Sequence, residues 1–499
     1  MVVEKSKFLG VDVNSETLTV VALGSGGRVT GRAQAHYRID VPRPGWTEQD
    51  PAVWWNAFVE ACRRLQAQTD LTSVVGMGLT GQMHSTVLLD RHGDVLTKSL
   101  LWNDNRSSGS ALRLEQTVEA GRIREITGNR LMPAFSAAKL QWIKECEPDI
   151  FMRIDKVLLP KDYIRYRLTG VLATDVTDGS GTAVFCVEER TWSDELIEAF
   201  GFRRNWFPDA YESSSIVSRV SRESARMLGL TPGIPVIAGA GDNSAAAVGA
   251  GIVGQGQGLV RIGSSGAVLV TTDDPTMFRY SVDQTSSVHN FCHAVANTWI
   301  SMGTTLSAQL ALHWFYDALT VDAPELLENY AAMAGQALAA RSLDDGLLFL
   351  PYLGGERTPH IDPKARGVFF GLNFKHDARH MIRAVMEGVA FSMRDCMQVI
   401  QQSDVSVDDL RLTGEVIRDA TWCQIVSDVL GAELCVPVHQ EAAEGIAFLA
   451  GCSLGLYDMD MISEKPCVAR YVPDETYRGH YDALHSTYQA LYRAVARLF

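Results

Sequence analysis

The chain has no apolar run approaching the ~20 residues that a membrane-spanning helix needs. Its N-terminus passes through charged Glu4, Lys5 and Lys7 straight into strand-like Phe8 to Val13, without the apolar stretch of a signal peptide. There is no Cys-x-x-Cys spacing: nine cysteines stand singly, an odd count that indicates neither a disulfide framework nor a zinc site and fits a reducing cytoplasm. Positive charge is in deficit, with 45 Lys and Arg against 59 Asp and Glu for a net charge of −14, and no basic block offsets it locally. Such a surface repels nucleic acid and anionic lipid, which leaves small molecules as the expected partners of a soluble, cytoplasmic protein. Low-complexity tracts and long linkers are absent too. What is present is globular material, 46% hydrophobic and 21% charged over 499 residues. That length exceeds one ordinary core and predicts two domains.

Two segments share a strand-turn-strand pattern. Phe8 to Asp12, a turn at Val13 to Thr17 and Leu18 to Leu23 form the first; Gly258 to Ile262, Gly263-Ser264-Ser265-Gly266 and Ala267 to Thr271 form the second. Their separation, about 250 residues, is a domain length. We therefore expect a duplicated architecture, residues 1–249 and 250–499, with the small-residue stretch from Ser244 to Gly258 at the joint. Hairpins with Gly/Ser turns also occur in any α/β protein. Helical spacing marks Ala52 to Gln68, through Trp55, Phe58, Ala61, Cys62 and Leu65, and a long helix beginning at Asp377. Leu410 to Thr413 (strand), Asp419 to Leu430 (helix), Leu434 to Val438 (strand) and Glu441 to Leu454 (helix) read as a βαβα unit, and Tyr477 to Phe499 as an amphipathic helix.

Polar clusters follow two of the apolar strands. Gly81-Gln82-Met83-His84 comes after Val74 to Leu79, and Gly239-Ala240-Gly241-Asp242-Asn243 after Ile234 to Ile237. Both fall where open α/β sheets bind ligands, at the carboxyl ends of strands. Asp242 is a candidate general base for an alcohol, or else the N-cap of the helix that follows. Met83 and His84 would line a sugar, the ring donating to hydroxyls, or be ordinary core residues. Trp102, in Trp102-Asn103-Asp104-Asn105-Arg106, adds an aromatic platform for a polyol. Asp12 ends the first strand ahead of Asn14 and Ser15: it is a candidate Mg²⁺ ligand beside a phosphate turn, or an Asx-turn residue. Gly263, Ser264, Ser265 and Gly266 can wrap a phosphate, though loops of that composition are common.

Taken together these stretches resemble the FGGY carbohydrate kinase family, most closely its xylulokinases. The resemblance runs almost end to end through Gly45 to Asp50, Gly81 to Asp90, Leu101 to Arg106, Met132 to Trp142, Leu159 to Tyr163, Ala240 to Asn243, Val288 to His293, Phe349 to Pro359 and Gly367 to Gly388. It implies two α/β, actin-like (ribonuclease-H-like) domains facing across a cleft that closes on ATP and sugar, and by family habit a homodimer. By position, Asp242 matches the catalytic base, Gln82, Met83, His84, Trp102 and Asn243 the sugar side, Asp12 the acid near Mg²⁺ and phosphates, and the 263–266 turn the second phosphate loop. Gly414, Glu415 and Arg418 fall at the adenosine site.

The departures lie on the nucleotide side. Where the family has Asp-x-Gly-Thr-Ser and often a Lys, this chain reads Asp12-Val13-Asn14-Ser15-Glu16-Thr17-Leu18-Thr19; the glycine cluster at the adenosine site reads Gly414-Glu415-Val416-Ile417. Asn14 can replace the glycine if it turns left-handed, whereas Glu16 brings a like charge towards phosphate unless it faces solvent. Two functions follow: an ATP-dependent ketopentose kinase making D-xylulose 5-phosphate with Asp242 as base, or a nucleotide-impaired homologue that senses a sugar. A kinase for another ketose or polyol, or one using another phosphoryl donor, stands beside them.

Overall fold

The computed structural model describes residues 6–276, 287–320, 346–402, 405–463 and 467–499. The first sheet is built from β1 (Lys7–Val13), β2 (Thr17–Leu23), β3 (Val29–His36), β4 (Val74–Gly81), β5 (Ile216–Arg219), β6 (Pro235–Ile237) and the short β7 (Ala240–Gly241). Its order is β5-β6-β4-β1-β2-β3, with β7 also on β4; β1 runs antiparallel to β2 and parallel to β4. The second sheet repeats the plan with β8 (Gln257–Ile262), β9 (Gly266–Thr272), β10 (His289–Cys292), β11 (Trp299–Thr305), β12 (Asp409–Thr413), β13 (Leu434–Val436) and β14 (Ala469–Tyr471), in the order β10-β11-β9-β8-β12-β13-β14. Here β8 is the counterpart of β1, antiparallel to β9 and parallel to β12. Both expected hairpins are present, each at the start of its own sheet.

Period-two alternation directs the packing of β1. Leu9, Val11 and Val13 face one layer, where Trp54, Phe58, Ala61 and Leu65 of α1 (Pro51–Gln66) cover them. Asp50 caps α1 by accepting from the Ala52 amide, and Pro51 opens it without losing a needed N–H. On the same side α3 (Pro160–Thr169) packs on β1 and β4, while α2 (Ser136–Cys146) belongs to a separate core of the largely helical insert.

The opposite face of β1 holds the least foreseeable contact. Phe8, Val21, Leu23 and Ile237 are covered by α4 (Asp242–Gly249) and by a helix from far along the chain. In chain order α4 is followed by α5 (Gln309–Thr320), α6 (Ala378–Gln401), α7 (Ala420–Leu430), α8 (Ala442–Ser453) and α9 (Arg478–Val495). It is α8 that lies on β1, β2 and β4 and crosses α4. The approach is close: a Cβ on Gly10 would come within 1.8 Å of the Ala443 carbonyl oxygen, one on Gly78 within 2.4 Å of that of Ile446, and one on Gly445 within 1.9 Å of that of Ala245. Glycine is required there for space rather than for φ.

The second half packs its own core on α6 and α7, with Ile382, Val385, Val389 and Phe391 against Val260, Ile262, Val268 and Val270. Asp377 caps α6 in a reciprocal capping box with His380. The C-terminal helix α9, whose docking the sequence leaves open, joins this second core: Tyr481 and Tyr488 are buried there, and Tyr488 donates to the Tyr352 hydroxyl at 2.8 Å. One expectation is corrected. Cys435 and Cys467 are joined in a disulfide; they stand 32 residues apart in sequence, and the antiparallel pairing of β13 with β14 brings them together. Among the described residues, no helix is long and apolar enough to cross a membrane.

Candidate active site

Register gathers the polar clusters. Asp12 lies opposite Thr80 and Val13 opposite Gly81 between β1 and β4, while Gly241 lies opposite Gly81 between β7 and β4. The residues that follow these strands leave the sheet side by side. They face the β8–β9 turn of the second half across a cavity of about 340 Å³. Asn14, Ser15, Gln82, Met83, His84, Trp102, Asp242, Asn243, Gly263, Ser264, Ser265 and Gly266 all line it.

Hydrogen bonds tie the sugar-side residues to one another. The Trp102 indole N–H donates to Ser15 Oγ at 2.9 Å; Ser15 Oγ and Ser85 Oγ each donate to Gln82 Oε1 at 3.1 Å. His84 occupies the left-handed region (φ 67°), a strained conformation for a side chain of that size. Its carbonyl is held by the buried Lys139 ammonium at 2.7 Å, and burial lowers that lysine to about 7. Burial also depresses the ring to about 3, so it is neutral. Since Nδ1 lies 2.9 Å from the Gly181 carbonyl oxygen, which only accepts, Nδ1 carries the hydrogen. The ring therefore presents Nε2 as an acceptor, which corrects the expectation that it donates to hydroxyls.

Asp242 is the first residue of α4, and Gly241, not Asp242, is the N-cap. Its Oδ1 accepts from the Asn243 amide at 2.8 Å and the Asn243 side chain at 3.2 Å. Burial raises its carboxyl above the ordinary range, while the Arg261 guanidinium pulls it down. The turn that carries it is anchored from behind. Gly241 N–H donates to Thr177 Oγ1 at 2.7 Å, Thr177 Oγ1 donates to Asp175 Oδ2 at 2.6 Å, and Arg165 holds the Ala238 carbonyl. Asp175 belongs to a buried charge cluster in which Lys161 Nζ lies 2.6 Å from Asp162, 2.8 Å from Asp175 and 2.9 Å from Asp178. Burial works against that ammonium, but the three carboxylates hold it above the usual lysine value.

Asp12 is buried, close enough to Asp242 to feel its charge. Burial, and the Asp242 charge after it, push its carboxyl up to about 7; Asn14 donates to Oδ2 at 2.6 Å, and Oδ1 has no hydrogen-bond partner. An unsatisfied carboxylate oxygen raised by a like charge fits a cation such as Mg²⁺. Among the described residues no three His, Cys, Asp or Glu side chains are grouped to hold a metal, so an ion here would take most of its oxygens from phosphate and water. Asn14 keeps φ negative; the turn needs no left-handed residue, because the Asn14 amide donates to the Thr17 carbonyl at 3.0 Å. Glu16 is exposed and does not line the cavity.

The residues expected at an adenosine site lie apart from that cavity. Glu415 and Arg418 line a second one of about 360 Å³, between α5 and the start of α7, together with Gln309, His313 and Tyr316. Gly414, just before Glu415, is not part of its lining; it has φ 95°, and a Cβ there would strike the Ile262 carbonyl at 2.3 Å. Glu415 is exposed at this cavity, and Val416, buried in the core, lines it as well.

Among the lining residues without an assigned role in the sequence are Phe135, Arg261, His289, Phe291 and Arg357. His289 and Arg357 fall inside stretches that resemble the family, but nothing in spacing assigns them to the cleft. Arg261 follows from strand alternation once the face of β8 is known.

A carboxylate set between hydroxyl-binding groups and a Gly-Ser turn, on two sheets of the same plan, has the build of a phosphotransferase to an alcohol. Residues 7–249 match the N-terminal domain of the FGGY family of carbohydrate kinases and residues 258–454 its C-terminal domain. The chain belongs to that family and is a carbohydrate kinase. It is 36% identical over 497 residues to a xylulose kinase of Escherichia coli strain K12, covering 98% of this chain and 99% of that one. A solved structure described as a xyloylose kinase from Brucella ovis superposes with a TM-score of 0.90 at 34% identity, over 99% of this chain and 100% of the other. A gluconokinase of Bacillus subtilis is 27% identical, covering 95% of this chain and 91% of its own.

Proposed function

We propose that the chain transfers the γ-phosphoryl group of ATP to the terminal hydroxyl of a ketopentose, making D-xylulose 5-phosphate from D-xylulose, with Asp242 as base. The observation that carries this reading is the setting of Asp242. Its carboxylate stands in the wall of the cleft between the Met83, His84 and Trp102 side and the 263–266 turn, engaged on Oδ1 by Asn243 alone. A carboxylate there takes the hydroxyl proton as the oxygen bonds to phosphorus. Partial desolvation makes it a better base than a surface aspartate.

On the sugar side, His84 Nε2 accepts a hydrogen bond from a hydroxyl, Trp102 offers an apolar face, and the buried Gln82 Nε2, which lacks a partner, is a free donor. On the nucleotide side the second cavity suits adenosine, and the 263–266 turn offers amides and hydroxyls to phosphate. Asp12 would hold Mg²⁺, which supplies positive charge against the phosphates when bound. Xylulose is favoured among ketoses by the names of the relatives; a few contacts to stereochemically distinct hydroxyls decide it. The sugar-sensor reading loses one support, since Glu16 is exposed and does not line the cleft, while Glu415 and Val416 both line the second cavity.

The test is ADP release in a coupled assay with D-xylulose, D-ribulose, L-sugars, polyols and gluconate, with Asp242→Ala as the control. We expect D-xylulose to give the highest kcat/KM, and the variant to lose roughly 10²- to 10⁴-fold in kcat while sugar affinity stays near wild type. A variant with near wild-type turnover removes the proposed base. Silence with every sugar, while calorimetry shows sugar binding, restores the sensor.

A further inference from the structure

The proposed transfer leaves two charged groups in the cleft unused, Arg261 and Arg357. On β8 the period of two turns Val260 and Ile262 into the second core and sends Leu259 and Arg261 to the opposite face. Leu259 is buried there among Phe291 and Trp299. Arg261, one step nearer the carboxyl end, reaches the cleft and stays exposed in it. Its cross-strand neighbours, Ala267 and Thr413, carry no charge. Asp12 and Asp242 both feel its field, yet among the described residues it forms an ion pair with neither. The other arginine of this wall, Arg357, sits at the sugar end, 6.0 Å from the Trp102 ring centre. The first phosphate turn, residues 12–19, has no cation, and neither has the second, residues 263–266.

We propose that Arg261 clamps the phosphoryl group during transfer, its guanidinium donating to the non-bridging oxygens from the second sheet, across the cleft from Asp12. This rests on the kinase reading. As the sugar oxygen bonds to phosphorus and the bond to the β-phosphate oxygen breaks, the hydroxyl proton passes to Asp242 and the bonding pair leaves with ADP. Arg261 keeps its protons throughout and offsets negative charge on the equatorial oxygens. A planar fork with several donors, preset on a strand that runs directly into the phosphate turn, suits that geometry better than a flexible ammonium would.

The test compares Arg261→Ala and Arg261→Lys with wild type for binding of ADP and of the non-hydrolysable β,γ-imido analogue of ATP, both with Mg²⁺, by calorimetry. Turnover is followed against pH alongside. We expect Arg261→Ala to lose about tenfold to a hundredfold in affinity for the imido analogue, to keep ADP and sugar binding near wild type, and to fall in kcat at every pH; Arg261→Lys should recover part of both losses. Equal effects on the two nucleotides, or none, overturn the clamp. So does a kcat loss that disappears on raising the pH, which would mean that Arg261 acts only by keeping Asp242 ionised. Discrimination between the nucleotides that depends on Arg261 upholds the clamp even if D-xylulose proves the wrong sugar. Sugar turnover that is indifferent to Arg261 upholds the kinase and removes the clamp.

Discussion

Replacing Lys161 with Met would test how the turn that carries Asp242 is held. Lys161 is fully buried, and its ammonium lies within 2.9 Å of three carboxylates, those of Asp162, Asp175 and Asp178. Methionine preserves most of the volume and removes the charge, leaving Arg165, 2.8 Å from Asp162, as the remaining cation of the cluster. An uncompensated buried charge of this kind costs ~3–5 kcal/mol at neutral pH. The pH dependence has a definite sign. Burial, then Asp175 and Asp162, already hold the Asp178 carboxyl up at about 8 against the pull of Lys161. A carboxyl raised in the fold favours folding below its unfolded value of ~3.9 and loses that advantage as pH climbs to the folded value, by ~1.4 kcal/mol per unit and proton. Without Lys161 that value moves higher, so the deficit of the variant should widen as pH rises through 8, between pH 7 and pH 9. Urea unfolding at both pH values, read from the first transition, measures it. Because Asp175 reaches the Gly241 amide through Thr177, kcat should fall more than sugar affinity. A Lys161→Met protein with the wild-type midpoint at pH 9, or with a deficit that grows as the pH falls, would refute the reasoning.

Two further outcomes are expected. Mg²⁺ alone, without nucleotide, should raise the melting temperature of the wild type and leave Asp12→Asn unchanged, since ligand binding to the folded state stabilises by mass action; equal shifts in both proteins would move the ion away from Asp12. Gly445→Ala should destabilise by ~3 kcal/mol or more, because its Cβ would lie 1.9 Å from the Ala245 carbonyl oxygen and 2.6 Å from the Gly249 nitrogen, both backbone atoms. Gly479→Ala, on an exposed helical turn with nothing within 4 Å, should instead stabilise slightly, by ~0.5–1 kcal/mol. Chemical denaturation of the pair decides it, and a Gly445→Ala protein as stable as the wild type would contradict the close approach of α4 and α8.

Strands and caps were legible because their signals are local. The alternation in residues 8–23 and 258–271 predicts both hairpins, and Asp377 and Asp419 stand at the starts of the two helices read from them. The polar clusters at 82–84 and 242–243 could be read together because each directly follows a strand. What escaped the sequence depends on long-range neighbours. Helix α8 shows its apolar character in Ile446, Phe448 and Leu449, but nothing in it says that it will lie on the sheet formed by residues 7–81. Cys435 and Cys467 meet only because two strands pair. The tautomer of His84 is set by a carbonyl 97 residues away, and Arg261 becomes visible only when the face of its strand is known.

The position of α8 also bears on how the chain is made. The face of the first sheet bearing Phe8, Val21, Leu23 and Ile237 finds its cover in a helix that begins at Ala442, long after residue 249 has been synthesised. At ~5–20 residues per second, the nascent first half waits ~10–40 s for that helix to leave the ribosome. Until then it carries a broad apolar surface, lined by glycines that invite close contact with any passing helix. A fragment ending near residue 249 would keep that surface for good, so expression of the first half alone should yield aggregates or chaperone-bound material rather than a free domain.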